Sequence, residues 1–190
     1  MLRNIVLANR SYRRFVQSEP VPTETLREMI DLARCTPSAG NLQPLKYMLF
    51  NDPAQCAAIF PTLAWAGYLT EWGGPKEGER PASYIVILGD TEIKREFGCD
   101  HGIAAQTICL AAAEKGYGAC MIGAIDRKAL RDVLKLPERF EILLVIALGK
   151  PAEKVVLEDV GPDGGIKYYR DADDVHHVPK RKLGDLIVEF

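Results

Sequence analysis

No two cysteines in this chain are spaced as C-x-x-C. The five that occur, Cys35, Cys56, Cys99, Cys109 and Cys120, are odd in number, and most fall in apolar or helical contexts. That pattern argues for reduced, core-type thiols in a reducing compartment rather than a disulfide framework. The three histidines, His101, His176 and His177, lack ligand spacing with the cysteines, so no zinc site is expected. Neither sign of charge is in excess: 24 basic against 26 acidic side chains leave −2 over 190 residues. That balance gives no reason to expect a nucleic-acid partner. No apolar run is long enough to span a bilayer, and "MLRNIVLANRSYRRF" has too short an apolar stretch for a secretory signal. A soluble cytoplasmic domain with a sizeable core is the default expectation.

Self-sufficient catalytic motifs are also missing. Gly149-Lys150 lacks the upstream glycine of a phosphate-binding P-loop. Gly116, Gly118 and Gly123 miss the G-x-G-x-x-G spacing and follow a helical pattern rather than a strand. "TPSAG" approaches a nucleophile elbow, but Thr36 replaces its first glycine and the segment also follows a helix. No Ser-His-Asp set can be assembled. Acids cluster only in "DADD", Asp171 to Asp174, which reads as a solvated loop. An enzyme without such groups needs a cofactor to supply the reactive atom.

What is present begins with secondary-structure patterning. Leu2 to Asn9 reads as a short helix. Thr23 is a candidate cap for a second, in which Leu26, Met29, Ile30 and Ala33 recur at helical spacing. "KYMLF" reads as a strand, and Pro53 suits the first position of the next helix. Residues 61–81 form an irregular insert with two tryptophans, a candidate mobile cover. "SYIVILGD", "ACMIG" and "FEILLVIALGK" read as buried strands, with a capped helix from Asp126 between the last two. Asp100 to Lys115 is a long helix with almost no polar face, expected to be buried all round in the core or against a partner subunit. A polar tail follows Pro151. With no repeat, linker or low-complexity tract, residues 1–190 read as one α/β or α+β layered domain around one sheet.

Three features suit a flat, anionic cofactor. "NRSYRR" places Arg10, Ser11, Arg13 and Arg14 within five residues, and arginine forks match phosphates and heterocyclic carbonyls. Its plainer reading is a solvated basic loop. "KRK", Lys180 to Lys182, is ordinarily surface, but with the first cluster it would make a dianion site if the fold joins the chain ends. "PSAGNLQP" offers small side chains for close approach, with Asn41 and Gln43 as donors and acceptors between two prolines. An awkward helix-to-strand connection would not require the amides and both prolines together.

In order, "NRSYRRF", "PSAGNLQP", "GIAAQTICLAAAEKGYGACMIG", "VIALGKP" and "PKRKLGDLIV" resemble the signatures of the nitroreductase-like FMN oxidoreductases over nearly the whole chain. The resemblance implies an α+β, nitroreductase-like fold: a central, mainly antiparallel sheet flanked by helices. It implies a homodimer with two FMN molecules at the interface, each touched by both chains. Arg10 and Ser11 would reach the phosphate and ribityl side, and Arg13 the N1–O2 edge of the ring. Pro37, Ser38, Ala39 and Asn41, with Gln43 beside them, would form a platform for the partner's flavin. Ile122 and Gly123 would set backbone against the ring, and Lys180 and Lys182 would complete the phosphate clamp, with no role assigned to Arg181. No protein group is expected to be catalytic beyond an electrostatic role for Arg13, and no metal is expected.

The activity implied is electron transfer from NAD(P)H to a nitroaromatic or quinone by a ping-pong mechanism. Dehalogenation, dehydrogenation or flavin cleavage on the same fold, and a flavin-binding module without turnover, are the alternatives. Asn9 stands where many members carry a second basic residue, and Leu45 where an aromatic is common. Trp65, Tyr68 and Trp72 in the insert either shape a substrate pocket or pack as core.

Overall fold

Strand β2, Ser83–Asp90, is buried at every position in the computed structural model, which describes residues 1–189. Its run of β-branched and aromatic residues suits a strand covered on both faces. It lies between β1, Leu45–Phe50, and β4, Phe140–Gly149, and β4 in turn pairs with β3, Gly118–Ile122. All three pairings are antiparallel.

Alternation along β2 divides the core. Tyr84, Val86 and Leu88 join Phe15, Ile59 and Leu130 on one face. Ile85 and Ile87 join Leu26, Met29 and Ile108 on the other. The first face is covered by α3, Pro53–Ile59, and α5, Arg127–Leu134. Their caps are Asp52 and Asp126, each accepting a backbone N–H three residues on. The second face is covered by α2, Thr23–Arg34, and α4, Asp100–Glu114. Each large side chain fully buried here contributes roughly 1.5–3 kcal/mol.

Four sequence expectations are corrected or narrowed. Thr23 is the first residue of α2 and Pro22 its cap; the Thr23 hydroxyl instead accepts from Asn51 at 3.0 Å. Cys35 and Cys99 are exposed, leaving Cys56, Cys109 and Cys120 as core thiols. Of the two covers expected for helix α4, core or partner subunit, its own chain's core covers only one side. Ala104, Ala105, Ile108, Cys109, Ala111 and Ala112 face the core, while Gly102 and Gln106 are exposed and Ile103 and Leu110 only half-buried. The polar tail also builds a second sheet, β5 (Val155–Asp159), β6 (Tyr169–Arg170) and β7 (His176–Lys180), in the order β5-β7-β6. Its strands are short and partly exposed, so their sequences carry neither long apolar runs nor clean alternation.

The insert is pinned at both ends. Phe15 N–H donates to Glu79 O at 2.9 Å, and Ala64 N–H to Ala124 O at 2.9 Å. After α1, Leu2–Ala8, the N-terminal segment runs beside β3, where Tyr12 N–H donates to Ala119 O at 3.0 Å. Gly118 makes this approach possible: a Cβ there would meet the Tyr12 ring at 2.8 Å. Among the described residues, no helix is long and apolar enough to cross a membrane.

Candidate functional site

The second sheet brings the two basic ends of the chain together. Strand β7 lies beside the Arg10–Arg13 segment, and between them is a pocket of about 390 Å³. Arg10, Ser11, Arg13, Tyr168, His176 and Lys180 line it, with Gln106 of α4 and Met121 of β3 behind. Three fixed cations border this pocket and no carboxylate does, in a chain whose net charge is −2.

Arg13 is held on several sides. Its Nη1 donates to Ser11 O at 3.2 Å and to His176 Nε2 at 3.1 Å, and its guanidinium lies 4.8 Å from the Tyr168 ring centroid. A guanidinium only donates, so His176 Nε2 accepts and the neutral imidazole carries its proton on Nδ1. His176 is 1% exposed. Burial, then the nearby Arg13 and Arg170 charges, push its pKa down to about 4, so it stays neutral at pH 7. Its Nδ1 is buried without a partner, as is Nε of Arg10. The other end of the Arg10 fork donates to Val6 O at 2.7 Å. Each unmatched buried donor costs about 1–3 kcal/mol.

Arg14 belongs to a different network. It pairs with Asp174 and lies 3.6 Å from Glu79 Oε2. Trp72 packs under Arg170, 4.3 Å from its ring centroid, with Arg14 at 5.8 Å. Of the three insert aromatics, Trp72 packs against these two arginines. Trp65 packs against the core and also, with Arg13, Ile122 and Gly123, lines an adjoining compartment of about 230 Å³. It stacks on Phe60 at 5.8 Å, and Gly74 lies so close that a Cβ would meet its ring at 2.8 Å. Tyr68 is 49% exposed and rests on Tyr168 at 4.9 Å.

The "PSAGNLQP" loop is shaped by one buried acid. Asp100, at the start of α4, accepts from the Ser38 hydroxyl at 2.6 Å and from Ala39 N–H at 3.2 Å. Ser38 Oγ in turn accepts from Gln43 N–H at 3.0 Å, and the Gln43 amide donates to Asn41 O at 3.0 Å. The network holds Gly40, Asn41 and Gln43 at positive φ (61°, 53° and 52°), costly for the two side-chain-bearing residues. The Ser38 hydroxyl and the Gln43 side chain are thus engaged inside the chain. Pro37, Ser38 and Gln43 border a separate pocket of about 240 Å³, while Ala39 and Asn41 are exposed in the short turn Ala39–Asn41. The platform and the arginines therefore line different pockets of one chain. Lys182 is exposed and precedes the turn Leu183–Asp185, beyond the strand that carries Lys180.

Asp100, His176, Tyr168 and Gln106 were not singled out from the sequence. An acid at a helix start, four residues after Glu96 and next to His101, has many plain explanations. The hydrogen bond with Ser38, then that with Ala39, hold the Asp100 carboxyl below the usual carboxylate range. A depressed folded pKa stabilises the loop above the unfolded value, about 3.9, and that support is lost as pH falls through the folded value. Asp100→Ala should raise amide exchange at Ala39 and Gln43 about tenfold or more, the worth of a charge-assisted bond. Wild type should approach the same behaviour only in strong acid. Unchanged exchange in the variant would show that the prolines alone hold the loop.

The profile of the Nitroreductase family matches residues 6–150. The FMN-dependent nitroreductase of Clostridium difficile R20291 superposes with a TM-score of 0.65 at 25% identity, covering 97% of this chain and 96% of that one. A nitroreductase family protein of Streptococcus pneumoniae TIGR4 gives a TM-score of 0.70 at 18% identity over 86% of this chain and 96% of its own, a likeness of fold. By sequence, the NADH dehydrogenase of Thermus thermophilus is 25% identical over 180 residues, spanning 80% of this chain and 87% of the relative. With its sheet order and paired arginines inside the matched region, this chain belongs to the nitroreductase family.

Proposed function

We propose that this protein is an FMN-dependent oxidoreductase that draws hydride from NAD(P)H and passes the electrons to a nitroaromatic or quinone in a ping-pong cycle. The observation that carries this reading is the carboxylate-free pocket where Arg10, Arg13 and Lys180 meet. A terminal phosphate carries about −1.5 to −2 charges at pH 7, which suits three cations and the orphaned Arg10 Nε–H. When bound, FMN supplies hydride acceptance and release. Arg10 and Lys180 would hold the phosphate, and Ser11 the adjoining chain. Arg13, clamped by His176 and Tyr168, would hold the polar edge of the ring and supply positive charge beside it. Ile122 and Gly123 offer backbone, and Trp65 walls the compartment an acceptor would enter. Initial rates with varied NAD(P)H and varied quinone should give parallel double-reciprocal lines. Intersecting lines would contradict the ping-pong order.

The active unit in this reading is a homodimer. Its support is the exposed outer face of α4, the apolar residues Leu183, Leu186, Ile187 and Val188 (57–74% exposed), and the platform's separation from the arginines. Large exposed apolar surface marks an interaction site. Heterodimers of Arg13→Ala with Ser38→Trp subunits should carry both lesions in one site and neither in the other. Flavin should return to about half the wild-type level if a buried, charge-assisted contact is restored in that second site. A heterodimer that recovers no flavin, although both variants dimerise, would rule out shared sites.

A further inference from the structure

A second enclosed space lies on the opposite side of the Phe60–Trp65 stack. Helix α3, the segment after Phe15 and the end of the insert surround a pocket of about 380 Å³, within the size range of small-molecule sites. Pro20, Pro53, Pro81 and Phe60 make part of its wall apolar and conformationally stiff, while Gln17, Ser18, Glu77 and Arg80 make the rest polar. The Gln17 side chain accepts from Gly78 N–H at 2.7 Å, closing the wall formed by the insert.

Two donors border this space without partners. Tyr84 is fully buried, yet its hydroxyl makes no hydrogen bond. Its pKa is raised, first by burial and then by Cys56, and is lowered in part by Arg80. Both of those neighbours line the same pocket, and the phenol remains a donor throughout the physiological range. Arg80 lies 4.4 Å from the Phe60 ring centroid, and its Nη1 reaches Glu77 Oε2 at 3.0 Å. Its Nε is buried without a partner. A buried donor left unmatched is costly, and two such donors beside one partly apolar space favour an occupant that is flat, largely apolar and bears an acceptor oxygen.

We propose that this pocket is a second small-molecule site, separate from the Arg10–Arg13–Lys180 pocket, for a small uncharged aromatic amide whose carbonyl oxygen accepts from Tyr84 and Arg80, because Glu77 sets a carboxylate in the same wall. Stiff walls mean that little order is lost on binding. The site would touch the redox site only through Phe60, which stacks on Trp65 at 5.8 Å.

Benzamide is the probe. Equilibrium dialysis of labelled benzamide against the protein as purified should show saturable binding. Tyr84→Phe keeps the shape and removes only the unmatched hydroxyl, so it should preserve the fold and weaken benzamide about tenfold or more. Ala57→Trp, which fills the pocket from α3, should abolish binding, and flavin absorbance should be unmoved by benzamide in all three proteins. No saturable binding to wild type, or equal affinity in wild type and Tyr84→Phe, would overturn the proposal. Should Ala57→Trp fail to fold, the Tyr84→Phe comparison decides alone. Benzamide that shifts the flavin spectrum and binds Tyr84→Phe unchanged sits at the redox site, and the proposal then fails.

Discussion

Arg10→Ala is expected to weaken FMN about 10- to 150-fold, the equivalent of a buried charge-assisted bond worth roughly 1.5–3 kcal/mol. The guanidinium is half-buried and spends one nitrogen on Val6 O, while Nε has no partner within the chain. Asn9 is beside it where a second cation is common in the family, so fewer neighbouring charges can substitute for its loss. Arg10→Lys should recover part of the loss, because it restores charge without the planar fork. Titration of apo-protein with FMN measures both variants. An affinity equal to wild type would return Arg10 to the role of a surface residue bonded to helix α1.

Glu153→Ala is expected to have the larger effect on stability. The Glu153 side chain is 1% exposed and reaches Arg170 Nη2 at 2.8 Å. Its other oxygen accepts from the backbone N–H groups of Arg13 and Arg14. Removing it leaves Arg170, whose side chain is 10% exposed, on the Trp72 ring with a longer contact to the more exposed Asp174 as its remaining carboxylate among the described residues. Breaking a buried pair from one side costs about 3–5 kcal/mol. At this chain length that lowers Tm by roughly 6–20 °C, taking about 2–4 °C per kcal/mol. Glu153→Gln keeps an acceptor oxygen and should lie between. A Tm within about 2 °C of wild type, less than the shift expected for 1 kcal/mol, would mean the carboxylate is dispensable. Because Glu153 also fixes the Arg13 backbone, the alanine variant should bind FMN less tightly than its residual fold alone explains.

These two residues illustrate what the sequence disclosed and what it concealed. Arg10 was visible as a candidate because it lies beside Ser11 and Arg13, although a solvated basic loop was the plainer reading of that cluster alone. The buried strand Ser83–Asp90, the long helix from Asp100 and the Asp126 cap were legible for the same reason, since each is written in adjacent residues. Glu153 was concealed because its partners at Arg13 and Arg14 are 140 and 139 positions away, in a tail that reads as polar surface. His176 is 163 positions from the Arg13 it orients. Asp100 looked like an ordinary helix start, although it holds the loop that ends at Gln43. Chemistry that depends on fold-level juxtaposition leaves no periodic or motif signature. The second sheet was missed on related grounds, because its short strands pair with one another at the surface rather than through an apolar face.

The measurement that bears most directly on the central claim is the identity of the flavin the protein holds. The purified protein, loaded with excess flavin and desalted, is denatured, and the released chromophore is separated by chromatography and counted against protein. The Arg10–Arg13–Lys180 pocket is bordered by cations for one terminal phosphate and lacks a dinucleotide fingerprint. The result expected is FMN, at one per chain. FAD in its place, or no flavin retained after loading, would contradict the account.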